Sequence, residues 1–93
     1  MSYELVDPII FNWAKKHSLH VFTSYKDEDV RSIDIVSKKG QRFQIWIDQP
    51  LDQNINVHAW NYKNLKKEWS VEINNLNSTL EKAFELVINW MKI

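Results

Sequence analysis

The chain has no cysteine, one glycine, two arginines and no excess of either charge. Without cysteine there is no disulfide, no thiolate metal site and no thiol nucleophile. Twelve Lys and Arg balance twelve Asp and Glu, which argues against a chain built mainly to hold polyanions. No stretch approaches the roughly 20 apolar residues that a membrane-spanning helix needs. The start, Met1 to Pro8, has neither a basic leader nor an apolar run, so no signal peptide is expected and the setting is read as cytoplasmic. No catalytic or cofactor motif stands out, and we expect no cofactor.

What is present is an ordinary globular composition, 44% hydrophobic and 26% charged, with five Trp in 93 residues. That length predicts one small globular domain over 1–93 with a single modest core. The asparagine- and lysine-rich, alanine-poor usage fits an AT-rich genome, and a bacterial source is expected.

Asp7-Pro8 predicts a helix start, with Asp7 as N-cap and Pro8 in the first turn, where its missing N–H costs nothing. Ile9, Ile10, Trp13 and Ala14 form its apolar face. Ser78-Thr79-Leu80-Glu81 has the spacing of a capping box and predicts a second helix, with Leu80, Ala83, Phe84, Val87, Ile88 and Met91 facing inward. Between them lie five segments of period-2 alternation: 19–25, 30–37, 42–48, 55–62 and 68–73. No connector is long enough for a crossover helix. The expected fold is therefore α+β: helix, five-stranded antiparallel meander, helix, with both helices packed on one face of the sheet.

Parity sets the register. Phe43, Ile45 and Ile47 must share the inner face with Ile33 and Ile35, because a one-residue slip would turn them to water. Ser37 then pairs with Gln41 around Lys38-Lys39-Gly40, a three-residue loop ending in the chain's only glycine. The same alternation is expected to set Ile47 opposite Ile55 and Val57 opposite Val71. Trp13 and Trp69 are expected in the core.

This register leaves an outer grid in three rows: Val36, Arg42, Trp60 and Glu68; Asp34, Gln44, His58 and Ser70; Ser32, Trp46, Asn56 and Glu72. Phe22 and Tyr62 lie nearby. Two tryptophans on a sheet face are not ordinary solvating residues, although cross-strand pairs of long side chains can serve the sheet alone. Arg42 beside Trp60 suggests a cation–π pair, with Glu68 on the guanidinium's other side. The expected function is a non-enzymatic protein-interaction module, immunity- or adaptor-like in size and style. It would bind a partner protein or a second copy through Trp46, Trp60, Arg42, His58, Tyr62 and Glu68.

Connector charges alternate in sign, so a meander would gather Lys15, Lys38, Lys39, Lys63, Lys66 and Lys67 at one end and Asp27 and Asp52 at the other. The alternative function is nucleic-acid or anionic-ligand binding through the lysine end. The same segregation also suits the two helix dipoles. A third reading is a small enzyme around His58, for which the sheet face offers neither oxyanion hole nor shelter from water. His17 and His20 have HxxH spacing but straddle a helix end and a strand, and no third ligand is apparent, so no metal site is expected. Asn77-Ser78-Thr79 matches a glycosylation sequon and is better read as a helix cap.

Overall fold

The computed structural model describes residues 3–93. After a 3-10 turn, Tyr3–Leu5, come α1 (Asp7–Lys16), β1 (Phe22–Tyr25), β2 (Glu28–Val36), β3 (Arg42–Ile47), β4 (Ile55–Trp60), β5 (Lys66–Val71), a second 3-10 turn (Ile73–Asn75) and α2 (Leu76–Met91). The five strands form one antiparallel sheet in chain order. α2 packs on β3, β4 and β5, and α1 packs against α2. Ile10, Trp13, Leu80, Ala83 and Val87 of the helices join Ile33, Ile35, Phe43, Ile45, Ile47 and Val57 of the sheet in one buried core. The α+β meander is thus as the alternation predicts. No helix among the described residues is long and apolar enough to cross a membrane.

Helix entry differs from expectation at both helices. Asp7 is the first residue of α1 and its carboxylate makes no capping bond; it is drawn instead to Arg31. α2 begins at Leu76, two residues before the expected cap. The Ser78 and Thr79 hydroxyls donate back to the Asn75 carbonyl, at 3.0 and 2.8 Å. Glu81, the would-be partner of a capping box, accepts from His17, the residue that caps the end of α1, at 2.7 Å. A hydrogen bond between helices has displaced one within a helix.

The β1–β2 hairpin turns on Lys26 and Asp27, with φ of +49° and +68°. Two successive left-handed residues match the right-handed twist of the flanking strands, and this lets Glu28 and Asp29 join β2 rather than its connector. Ser37 pairs with Gln41 as predicted: the Ser37 N–H donates to the Gln41 carbonyl at 2.9 Å, and Gly40 has φ +84°.

Two registers are corrected. Ile47 lies opposite Val57, not Ile55, and Val57 lies opposite Trp69, not Val71. Both slips are by two residues, so every side chain keeps its face while the rows slide. Trp69 is half-buried rather than core, because β5 is the sheet edge and only one flank of the ring meets the core.

By meander order the Lys38-Lys39 and Lys63 loops share one end of the sheet, and the Asp27 and Asp52 loops share the other. A concavity lined by Gly40, Lys63, Trp90 and Ile93 brings the two lysine loops and the end of α2 together.

Candidate binding face

The face of the sheet away from the helices carries the candidate site. Cross-strand pairing sets one row as Ser32, Trp46, His58 and Glu68, and the next as Asp34, Gln44, Trp60 and Lys66. Trp46 and His58 therefore stand side by side. Their rings stack in parallel, 4.4 Å between centroids and 4° between planes. Lys66 reaches over from the adjoining row, its Nζ 5.5 Å from the Trp46 ring. Trp46 and Trp60 are half-buried, whereas Trp13 is buried.

His58 is fixed from two sides. Its Nε2 lies 2.7 Å from Asp48 Oδ2, and since a carboxylate only accepts, Nε2 carries the proton of that bond. Nδ1 is enclosed without a hydrogen-bond partner, 3.8 Å from Glu68 Oε2. This corrects the expected setting beside Gln44 and Ser70. An enclosed nitrogen facing a carboxylate cannot reach a substrate proton, so the geometry lends nothing to a base at this position.

The second cluster forms around Tyr62. Trp60 and Tyr62 have ring centroids 4.6 Å apart, and the Arg42 guanidinium lies 5.1 Å from the Tyr62 ring centroid. Arg42 thus rests on Tyr62 rather than on Trp60, and Glu68 lies in the His58 row instead of holding it. The Tyr62 hydroxyl donates to Asp34 Oδ1 at 3.0 Å. Burial, then this bond to Asp34, holds the phenol above its ordinary pKa. Tyr62 has φ +64°, a left-handed conformation that a bulky side chain adopts at a cost on the order of 1 kcal/mol. The Asn61 side chain accepts from the Lys63 and Leu65 N–H groups, both at 2.9 Å, and holds the loop in that shape.

Between these clusters and the β1–β2 hairpin the face is concave. A hollow of about 610 Å³ is lined by Phe22, Ser32, Asp34, Trp46, Asp48 and Tyr62 among others. Acids collect around the Trp46–His58 pair, and Arg42 and Lys66 lie toward the lysine end. Lys67 pairs opposite Ala59 on the edge strand and Lys38 and Lys39 stay in their loop, so these three do not converge with the ring clusters, whereas Lys63 lines a hollow with Arg42 and Tyr62.

Alternation alone does not reveal Arg31. It occupies an inner-face position opposite Ile47 and is buried. Its Nε and second terminal nitrogen donate to the two Asp7 oxygens at 2.6 and 2.9 Å, and its first terminal nitrogen donates to Asp29 at 2.6 Å. The hydrogen bond to Asp7 raises its pKa further above an already high value. The guanidinium also lies 4.3 Å from the Tyr3 ring centroid. The group ties the start of α1 to β2 beneath the hollow. An arginine at a position where the pattern demands an aliphatic residue was the one available signal.

His17 bonds to Glu81, and His20 packs edge-on against Phe22 with centroids 4.6 Å apart, so the HxxH pair does not converge. Among the described residues no group of three or more His, Asp or Glu side chains could hold a metal ion. Comparison with protein-family models, curated proteins and solved structures finds no match.

Proposed function

We propose that this protein is a non-enzymatic interaction module that binds a partner protein through the outer, concave face of its sheet. The observation that carries the reading is the pair of locked ring clusters. Trp46 is held on His58 across β3 and β4, and Trp60 is held on Tyr62 just past the end of β4, yet both tryptophans remain partly exposed. Aromatic anchors fixed before binding lose little side-chain entropy when a partner covers them. Arg42, Lys66, Asp34, Asp48 and Glu68 supply a charged surround that can select the partner and orient its approach. The proposal keeps the bacterial, cytoplasmic setting and the immunity- or adaptor-like role expected from the sequence.

The test is affinity capture from extract of the source cells, with wild type and a Trp46→Ser/Trp60→Ser variant as parallel baits. A protein retained by wild type and lost from the folded double variant supports the reading. Equal retention by both baits removes it.

A second reading has one observation in its favour. The hollow at the lysine end, about 590 Å³, brings Arg42 and Lys63 together with the rings of Tyr62 and Trp90. Cations beside stacking rings suit single-stranded nucleic acid or another anion. A titration of binding against salt separates the two, since lysines that neutralise phosphates give a steep slope in log salt.

A further inference from the structure

On the outer face of the sheet the acids around the ring clusters are engaged and the bases are not. Asp34 accepts from the Tyr62 hydroxyl at 3.0 Å, and Asp48 accepts from His58 Nε2 at 2.7 Å. Glu68 lies 3.8 Å from the enclosed Nδ1 of the same imidazole. Arg42 and Lys66 are exposed, and among the described residues neither forms an ion pair. Each rests on a ring instead, Arg42 5.1 Å from the Tyr62 centroid and Lys66 5.5 Å from that of Trp46. The face of a ring attracts a cation, so the charge is held in place without being neutralised. Both cations border Trp60. Lys66 pairs directly opposite it, Gln44 pairs opposite it on the other side, and Arg42 stands two residues before Gln44 on the same face. Ile93 follows α2 on the other side of the sheet, and no ion pair joins its carboxylate to either cation.

We infer that the segment of the partner protein lying over Trp60 is acidic, with an apolar side chain on the indole and carboxylates to either side of it, one on Arg42 and one on Lys66. This rests on the function proposed for the outer face and specifies the chemistry of the partner. A guanidinium stacked on a ring still presents its fork of N–H groups to a carboxylate, and a lysine offers a point charge with little demand on direction. Asp34 and Glu68 stand on the same face as the two cations. They oppose a chain that carries a negative charge at every residue, as a nucleic-acid backbone does. Isolated carboxylates spaced by apolar side chains meet Arg42 and Lys66 and leave those acids alone. The Lys38, Lys39 and Lys63 loops, at the same end of the sheet, steer such a segment toward this half of the face.

Tryptophan indole and arginine side-chain resonances of isotope-labelled protein, followed during titration with end-blocked peptides, test it. The probes are Glu-Leu-Glu-Leu-Glu, its counterpart Lys-Leu-Lys-Leu-Lys and a thymidine pentanucleotide, each taken to about 10 mM, where contacts of a few residues register. The acidic peptide should move the Trp60 indole and Arg42 Nε resonances and leave that of the buried Trp13 in place. Arg42→Gln and Lys66→Gln should each weaken its binding about threefold, the size of one partly exposed ion pair. Lys66→Arg keeps the charge and should bind as wild type does. Lys82→Gln, an equal change of net charge on the exposed side of α2, should have no effect. An acidic peptide that moves neither resonance overturns the inference. So does binding that both Gln variants retain in full, or that the basic peptide matches. A thymidine pentanucleotide that binds there more tightly than the acidic peptide overturns it in favour of nucleic acid. Failure of the proposed function itself shows elsewhere, as a captured protein retained without Trp46 and Trp60, a result that does not depend on the charge of the partner.

Discussion

His58 lies flat against Trp46, with ring centroids 4.4 Å apart and planes 4° from parallel, while Asp48 holds the imidazole from its edge at 2.7 Å. The stack sits at the centre of the proposed binding face, and it fixes which surface of the indole a partner can meet. His58→Phe keeps a ring in place and should leave the Trp46 indole signal close to that of wild type. His58→Ala removes the neighbour and should cost about 1–2 kcal/mol, an aromatic pair plus the apolar area uncovered. Thermal unfolding and the Trp46 indole resonance report the two effects separately. Equal losses for Phe and Ala would show that the bond to Asp48, which both variants lose, carries the stability and the stack does not.

The Arg31–Asp7–Asp29 cluster should be the polar contact on which stability depends most. Its side chain is 10% exposed, and it receives Asp7, Asp29 and the Tyr3 ring. Removing one member of a buried pair strands the other charge. Arg31→Met should then cost less than Asp7→Asn, because the former leaves carboxylates that can turn to water and the latter leaves a buried cation with Asp29 alone to balance it. We expect about 2–4 kcal/mol for Asp7→Asn, discounted from the fully buried case because Asp7 is 27% exposed. Urea unfolding of the two single variants and the double variant measures the coupling.

The sheet shows which features alternation can disclose and which it cannot. A one-residue slip moves Phe43, Ile45 and Ile47 to solvent, so parity placed them on the inner face without help from any loop. A two-residue slip moves nothing between faces, and hydrophobicity is blind to it. Between β2 and β3 the register was legible because Gly40 defined a short turn. Between β3 and β4 the connector holds no glycine, and Asp52 takes the left-handed position at φ +57°. Trp46 was accordingly assigned to the right surface but given Asn56 as a neighbour, when its neighbour is His58. The Asp7–Arg31 bond joins positions 24 apart in the chain, a separation at which local pattern carries no information.

The clasp between helices has a pH signature. The hydrogen bond from His17 holds the Glu81 carboxyl below its ordinary value of 4.5, outweighing partial burial, which pushes the other way. A carboxylate depressed in the folded state contributes stability above its unfolded pKa and loses it as pH falls through the folded one. Glu81 should therefore add an acid-destabilising slope below about pH 4.5. Glu81→Gln should flatten that slope and cost about 1 kcal/mol or less near neutrality. Thermal midpoints measured from pH 7 down to about pH 3 for both proteins decide it. Parallel curves would show that the clasp adds nothing to acid sensitivity.

Trp46 and Trp60 should separate binding from folding. They stand in adjacent rows and stack on different neighbours, Trp46 on His58 and Trp60 on Tyr62. Each ring is only partly exposed, so replacement by Ser forgoes most of a full aromatic burial, about 2–4 kcal/mol per site at 25 cal/mol per Å². A small domain with about 5–10 kcal/mol in hand stays folded after either change alone, which makes the two single variants the probes of binding and the double variant the stringent test of folding. Binding should respond more steeply, by about tenfold or more for each ring, because a partner must close over the whole exposed edge of an anchor. If both rings contact the same partner element, their effects on affinity will not add, whereas their effects on unfolding should, since the two stacks share no member. A double variant that unfolds would mark the rings as structural. One that stays folded and binds the captured protein as tightly as wild type would move the interface off this face, toward the Arg42, Lys63 and Trp90 hollow at the lysine end.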